Sequence, residues 1–239
     1  MRNVLVSGGS RGLGLAIACR LAQSGFRVIA LARTESGELR AARAEQRELH
    51  FRSCNLADTA GIGQAVAQLR REFGTFYGLV NNAGLGTGGL LSMMRDADIE
   101  ALIRLNTLAP ILLAKYVLRS MMAAKEGRIV NITSIVAQSG FKALSAYSAT
   151  KASLEGFTRS LAREVGPLGI TVNAVAPGFV STAMTQELDE HAREQIVRRS
   201  ALRRMAEPTD VAGAVEFLMS DAANNITGTT LTVDAGNTA

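Results

Sequence analysis

Short apolar runs alternate along the chain with longer segments in which apolar residues recur every three or four positions. The runs have the composition of strands that are buried on both faces of a sheet, and they lie at residues 1–7, 26–32, 49–53, 76–80, 128–133, 169–176 and 229–233. Helical periodicity occupies the segments between them, at residues 13–24, 35–48, 58–73, 96–125, 146–162 and 208–220. This alternation predicts an α/β fold, with a seven-stranded parallel sheet and helices on both faces.

The length and the composition fit a single domain over residues 1–239. Apolar residues make up 47% of the chain, which is enough for a full core, and no repeat or linker divides it. The segment 181–207 is polar and rich in arginine. We interpret it either as a lid over a substrate or as an ordinary pair of amphipathic helices.

The charge pattern argues against a nucleic-acid partner. The formal net charge is +5, but the arginines are spread along the chain without a basic run, so small anionic ligands explain the charge better. The two histidines, His50 and His191, belong to no metal-binding motif, and we expect no metal. Cys19 and Cys54 form no C-x-x-C pair, and we expect two buried free thiols.

No signal for a membrane or for secretion is evident in the sequence. No consecutive apolar run approaches the roughly 18 to 20 residues of a membrane span. The first strand begins at the N-terminus, which leaves no room for a signal peptide. We therefore expect a cytoplasmic protein without a membrane contact.

Closely spaced glycines follow the first strand in the pattern G-x-x-x-G-x-G. Glycine permits a tight turn and a close backbone approach, and the N-terminus of the next helix attracts a pyrophosphate with its free N–H groups and its dipole. We interpret this loop as a dinucleotide site. A nucleophile elbow, G-x-S-x-G, also fits residues 8–12, but His191 is the only late histidine that could serve it. The residues assigned to the dinucleotide are Gly8, Ser10, Arg11, Gly12, Leu13 and Gly14.

The end of the second strand predicts the form of the dinucleotide. Enzymes that prefer NAD carry an acidic residue here for the ribose hydroxyls, whereas this chain has Ala32, Arg33 and Thr34. A 2′-phosphate would therefore meet Arg33, and Arg11 can reach the same group. The prediction is NADP(H), and the alternative is that both arginines are only solvated surface charges.

Other polar or glycine-containing turns follow the strands whose carboxyl ends meet at the same edge of the sheet. Asn55 could bond the edge of an adenine, and Thr182 is placed to reach the cofactor. Ligands of open parallel sheets bind at this edge, so we assign these turns to the cofactor. They contribute Asn55, Leu56, Asn82, Ala83, Gly84, Pro177, Gly178, Val180 and Thr182.

Tyr147 and Lys151 are the candidate catalytic residues, because they lie four positions apart on one predicted helix. A free phenol has a pKa of about 10 and is a poor acid or base at neutral pH. An ammonium at about 4 Å is worth at most about 4 kcal/mol, enough to lower that pKa by about three units. Ser134, at the end of the preceding strand, can bond a substrate carbonyl. Taken alone the pair is a weak signal, and a surface helix pair remains the alternative.

Asn106 lies in the predicted helical segment 96–125, four residues before Pro110. An asparagine in an apolar helix is costly unless its amide is satisfied. Its presence therefore indicates either a local kink with a bound water or a plain surface position.

These motifs together resemble the short-chain dehydrogenase/reductase family over the whole chain. The glycine loop matches T-G-x-x-x-G-x-G with Ser7 in place of the threonine, and residues 81–84 match N-N-A-G. The resemblance implies a Rossmann fold. It also implies four catalytic roles, in which Tyr147 is the general acid and Ser134 positions the carbonyl. Lys151 would hold the nicotinamide ribose and lower the tyrosine pKa, and Asn106 would hold a water that connects the lysine to solvent.

Within that family, the chain is most similar to the 3-oxoacyl-[acyl-carrier-protein] reductases. Asn55 and the runs GRIVNITS and AREVGPLGITVNAVAPGFV carry this likeness. It implies NADPH-dependent reduction of a 3-oxoacyl thioester on a carrier protein or CoA, in a homotetramer built through the long helices and the last strand. Lys125 matches a basic residue expected near the active-site mouth, whereas Leu168 replaces another. Reduction of a different ketone, or NADPH binding without turnover, remain alternatives.

Overall fold

A seven-stranded parallel sheet forms the centre of the computed structural model, which describes residues 1–181 and 190–239. The strand order is β3-β2-β1-β4-β5-β6-β7, and every pairing is parallel. The predicted fold class is confirmed. The strands are β1 (Asn3–Ser7), β2 (Arg27–Ala32), β3 (Leu49–Ser53), β4 (Phe76–Asn81), β5 (Gly127–Ile132), β6 (Ile170–Pro177) and β7 (Thr230–Val233).

Helices cover both faces of the sheet. Short 3₁₀ turns lie at Leu91–Met93, Gly166–Leu168 and Asp221–Ala223, and a π-helical turn lies at Arg104–Leu108. The α-helices of the described residues are α1 (Gly12–Gln23), α2 (Gly37–Glu45), α3 (Ile62–Phe73), α4 (Asp96–Ile103), α5 (Ala109–Ala124), α6 (Val136–Ser139), α7 (Ser145–Val165), α8 (Glu190–Arg199) and α9 (Pro208–Met219).

Alternation of side chains along the strands divides the core into two layers. Leu5 lies between Ile29 and Leu79 in the sheet, and these side chains belong to the layer that includes residues of α3, α5 and α7. Val4 and Val28 belong to the other layer, with residues of α1 and α9. All residues of β1, β4, β5 and β6 are buried, which explains why their sequences are continuous apolar runs.

The strand order reverses next to β1, and this reversal fixes where a ligand can bind. From β1 the chain moves outward to β2 and β3, then returns to the other side of β1 to form β4. The connections that leave β1 and β4 therefore lead to opposite sides, which makes this part of the carboxyl edge the topological switch point of the sheet. Open α/β sheets bind their ligands in the crevice at such a point.

Several predicted element bounds are corrected by local backbone bonding. The helix predicted over residues 58–73 begins only at Ile62, and the residues before it form a turn in which the Asp58 carbonyl accepts from Gly61 N–H. The helix α2 begins at Gly37, because Ser36 caps it through a bond from Leu39 N–H, and it ends at Glu45, because Gln46 has an extended backbone conformation. The predicted helical segment 96–125 is divided into α4 and α5 by the π-helical turn.

The run Asp96–Ala124 is long and apolar enough to cross a membrane by length and composition, although its apolar residues are not consecutive. In its most apolar window, with a mean hydropathy of 1.4, 44% of the residues are buried inside the protein. Leu113, Val117 and Met121 pack in the core against the sheet. Core packing therefore accounts for the apolar composition of this run.

Two helical glycines make a matched test of the close approach at the glycine loop. A Cβ on Gly14 would lie 2.1 Å from the Gly8 carbonyl oxygen, whereas a Cβ on Gly156 of α7 would meet nothing within 4 Å. We expect Gly14→Ala to lower the melting temperature and abolish dinucleotide binding. Gly156→Ala should instead stabilise the protein by about 0.5–1 kcal/mol, because alanine is the better helix former. Thermal unfolding of both variants checks this, and equal effects would contradict it.

Candidate active site

The glycine loop presents the N-terminus of α1 to the crevice. Gly8 and Gly12 have φ values of +68° and +53°, a region that favours glycine. Arg11 is the N-cap residue of α1 and makes no side-chain cap bond, and the first turn contains no acidic residue. The first N–H groups of α1 therefore remain available to an anion, as a pyrophosphate site requires.

Ser7 joins the glycine loop to the turn after β4. Its hydroxyl oxygen accepts from Asn82 N–H at 2.9 Å and from Ala83 N–H at 3.0 Å. The Asn82 side chain donates back to the carbonyls of Ser7 and Gly8, at 3.0 and 3.3 Å. In the family motif, Ser7 is notable only because it replaces a threonine. Its position at the end of a buried strand, before a glycine, was the available signal for this structural role.

Two exposed arginines flank the loops that follow β1 and β2. Ser10 links these loops, because its hydroxyl donates to Thr34 O at 2.8 Å and accepts from Ser36 N–H at 2.9 Å. Neither Arg11 nor Arg33 has an ion-pair partner within residues 1–181 and 190–239. The nearby carboxylate of Glu35 is bound by two other arginines, which hold its pKa below the ordinary value. The cations are thus free for an anionic ligand.

The remaining turns assigned to the cofactor lie at the same edge. Asn55 is exposed, and its side-chain oxygen accepts from Ala57 N–H at 3.2 Å, while Leu56 is buried. Gly178 packs so closely that a Cβ would lie 2.6 Å from the Cβ of Asp234. Val180 is buried and pairs with Ala206 in an isolated bridge. Thr182 lies outside the described residues, as does the part of the predicted lid up to residue 189.

Tyr147 lies in the first turn of α7 and faces Ser134, which follows β5. Burial raises the pKa of the Tyr147 phenol, and a hydrogen bond with the Ser134 side chain opposes that rise. The segment that carries Ser134 is fastened to α7 at two points. Ser148 donates to Val136 O at 2.5 Å, and Gln138 donates to the buried carboxylate of Glu155 at 3.0 Å. No sequence motif indicates this second contact.

Lys151 is buried beneath Tyr147. Its ammonium donates to Ile132 O at 3.0 Å and lies 5.6 Å from the centroid of the Tyr147 ring. Burial lowers the pKa of Lys151 from its ordinary 10.5 to about 8. The net shift of the Tyr147 pKa is upward and not downward as predicted, because burial of the phenol is its largest cause; the role of Lys151 in lowering that pKa stays a prediction.

Asn106 lies in the π-helical turn and is almost fully buried, so the surface interpretation is wrong. The π-helical turn is a local irregularity of the helix, as the alternative interpretation predicts, and the bound water of that interpretation stays a prediction. Its amide donates to Leu85 O at 2.9 Å and to the Thr150 hydroxyl at 3.2 Å, and it accepts from Leu85 N–H at 2.8 Å. Gly84 lies against both catalytic candidates of this region. A Cβ there would be 3.2 Å from Asn106 Oδ1 and 3.5 Å from Lys151 Nζ.

The structure therefore brings Asn106, Ser134, Tyr147 and Lys151 together at the carboxyl edge of the sheet. Lys125 and Leu168 lie elsewhere, directly before β5 and β6, where a Cβ on Gly169 would be 2.7 Å from Lys125 O. This is the amino edge, so the expectation that they flank the chain's own active-site mouth is wrong. Among the described residues, no group of three or more metal-ligating side chains occurs.

Comparison with known proteins gives consistent matches along almost the whole chain. Residues 8–238 match a family model described as enoyl-(acyl carrier protein) reductase. The chain is 41% identical over 232 residues to the 3-oxoacyl-[acyl-carrier-protein] reductase FabG of Escherichia coli (strain K12), covering 97% of this chain and 95% of the relative. It is 40% identical over 235 residues to FabG of Pseudomonas aeruginosa, with the same two coverages.

Solved structures with the same fold include two close neighbours. ElxO with NADP bound has a TM-score of 0.92 and 31% identity, over 99% of this chain and 98% of that one. A double mutant of a Serratia marcescens short-chain dehydrogenase/reductase has a TM-score of 0.92 and 32% identity, over 100% and 98% of the two chains.

The buried ammonium makes stability depend on pH in a predictable direction. Between pH 8 and 10.5 the unfolded chain keeps its Lys151 proton while the folded chain loses it, so stability rises with pH there. Below pH 8 the full cost of burial, on the order of 3 kcal/mol, is present. We expect Lys151→Met to stabilise the protein most below pH 8, with the gain shrinking toward pH 10.5. Denaturant unfolding at several pH values measures this.

The exposed Lys142 provides the control, because Lys142→Met should leave the pH dependence of unfolding unchanged. A Lys151→Met protein that is less stable than the unmodified chain at pH 7 would contradict the burial argument.

Proposed function

The chain belongs to the short-chain dehydrogenase/reductase family, and from this premise we propose that it reduces the ketone of a 3-oxoacyl thioester with NADPH. The observation that carries the proposal is the convergence of Ser134, Tyr147, Lys151 and Asn106 beside the free N-terminus of α1. The relatives named as 3-oxoacyl-[acyl-carrier-protein] reductases support the substrate class.

The protonation state of Tyr147 supports the reductive direction. NADPH, when bound, would supply a hydride for the carbonyl carbon. Ser134 and Tyr147 are hydrogen-bonded to each other, so their hydroxyls can hold the carbonyl oxygen between them. The phenol is protonated at neutral pH even at its ordinary pKa of 10, so Tyr147 holds the proton that a general acid must donate to that oxygen.

The cofactor form follows from the charges beside the ribose site. The loop after β2 supplies Arg33 where NAD enzymes have a carboxylate, and Glu35 is engaged by other arginines. The free N–H groups of α1 and the close packing of Gly14 on Gly8 fit a pyrophosphate. A structural neighbour has NADP bound, which supports NADP(H).

We also propose that the chain assembles into a homotetramer or dimer and works in the cytoplasm. Leu91 and Ile103 are more than half exposed and line an apolar groove with Ala149 between α4 and α7. A second copy with the same face can cover this groove in an isologous contact. Light scattering should give a mass well above the 25.3 kDa of one chain, and a monomer at micromolar concentration would contradict this.

Turnover of acetoacetyl-CoA with NADPH tests the proposed reaction. We expect Tyr147→Phe to lower kcat by about 10²–10⁴-fold without preventing NADPH binding, because it removes the proton donor. Tyr116→Phe is the matched control, since Tyr116 lies on α5, where its ring packs near Gly63 of α3, and it should keep activity. If the unmodified chain binds NADPH but does not oxidise it, the result would support the alternative of NADPH binding without turnover. If it reduces only other ketones, the result would support the alternative of a different ketone substrate.

Comparison of kcat/KM for NADPH and NADH tests the cofactor assignment. We expect the unmodified chain to prefer NADPH, and Arg33→Ala to reduce that preference roughly tenfold or more, because a charge-assisted bond to the 2′-phosphate is lost. Arg47→Ala is the control, since Arg47 is an exposed arginine on the amino-edge side of β3. Equal use of both cofactors by the unmodified chain would mean that these arginines are only surface charge.

A further inference from the structure

Exposed large apolar side chains concentrate on two loops at the carboxyl edge. Of the twelve such residues in the described part of the chain, five lie on these loops, which span residues 85–94 and 140–144. An uneven distribution of this kind marks a binding surface, whereas single scattered residues need no explanation. The five are Leu85, Leu90, Leu91, Met93 and Phe141.

The two loops form one structural unit. Gly89 N–H donates to Ala143 O at 2.8 Å, and a Cβ on Gly88 would lie 2.9 Å from the Leu144 side chain. Gly140 and Ala143 both have positive φ values, of +67° and +64°, so the turn that carries Phe141 is tight. This turn presents the Phe141 ring with about half of its surface exposed.

Phe141 contacts the turn that follows β6. Its ring lies 5.7 Å from the ring of Phe179, with an interplanar angle of 66°, which is an edge-to-face arrangement. The Phe179 turn is fixed in place, because Gly178 N–H donates to Val233 O at 3.0 Å. The aromatic pair therefore spans the gap between the loop before α7 and the turn assigned to the cofactor.

The sequence position of Phe141 places the pair next to the chemistry. Phe141 is seven residues after Ser134 and six before Tyr147, and the loop leads directly into the first turn of α7. Leu91 and Ile103 line the groove that we assign to a second copy of the chain, but neither phenylalanine lines that groove. That groove therefore leaves the exposed face of Phe141 uncovered, on the loop that joins Ser134 to Tyr147.

We propose that the Phe141–Phe179 pair is the wall of an apolar channel for the acyl chain and gives the enzyme a preference for longer unbranched acyl groups. This inference rests on the proposed function. An extended alkyl chain suits the surface because its methylenes can cover the exposed aromatic face, and each buried methylene contributes about 0.8 kcal/mol. A compact polar ketone would leave Phe141 uncovered.

A substrate series with the carrier held constant tests the wall. We would measure kcat/KM for four-carbon and eight-carbon 3-oxoacyl-CoA, and we expect the eight-carbon substrate to be preferred. Phe141→Ala should lower the eight-to-four ratio about tenfold, as expected for two lost methylene contacts. Phe141→Leu should recover part of the ratio. Phe217→Ala is the matched control, because Phe217 is an exposed phenylalanine of α9, and it should leave the ratio unchanged.

The outcomes separate this inference from the reaction on which it rests. Turnover of the four-carbon substrate by the unmodified chain reports on the proposed function alone. If Phe141→Ala leaves the eight-to-four ratio of kcat/KM unchanged, the proposed acyl wall is wrong. This holds whether or not the substitution also changes the assembly of the protein, which light scattering would show as a lower mass. Should turnover fail, calorimetric binding of octanoyl-CoA and acetyl-CoA still decides, since Phe141→Ala must weaken the first about tenfold more than the second.

Discussion

The bonds of the Ser7 hydroxyl hold together the two loops between which a dinucleotide would bind. Because Ser7 accepts from two consecutive N–H groups of the β4 turn, the ends of β1 and β4 are fixed side by side. The resulting approach leaves no room for a side chain at Gly8 or Gly14. The glycine pattern is therefore required twice, by the phosphates it would contact and by the protein that packs behind it.

Much of the architecture was predictable because burial on both faces of a parallel sheet imposes continuous apolar runs. The runs at β4, β5 and β6 predict their strands to within about two residues. Asn106 was not predictable from periodicity, since only the π-helical turn and its bonds to Leu85 explain a buried amide in an apolar helix. The spacing of apolar residues does not show whether a π-helical turn directs one polar side chain into the protein.

For the catalytic candidates, the sequence predicts the residues but not their pKa values. Motifs and the family resemblance identify the residues, whereas the pKa shifts depend on burial. Four-residue spacing places Tyr147 and Lys151 on one helix face, yet it carries no information about the depth of that face in the protein. The structure buries both groups, and the ammonium bonds the Ile132 carbonyl. Desolvation, which depends on the packing of the whole domain, is then the largest cause of both pKa shifts.

Burial shifts the pKa values of Tyr147 and Lys151 in opposite directions. The resulting order of the two pKa values suits a proton donor that must regain its proton after each reaction. The ordinary pKa values of tyrosine and lysine are nearly equal, at 10 and 10.5. In the site the Lys151 pKa falls to about 8 while that of Tyr147 rises, so the ammonium becomes the stronger acid. If Tyr147 acts as the proposed proton donor, these two directions favour transfer of a proton from Lys151 toward the phenolate. The same low-dielectric surroundings that cost stability therefore favour the return of the phenol to its protonated state.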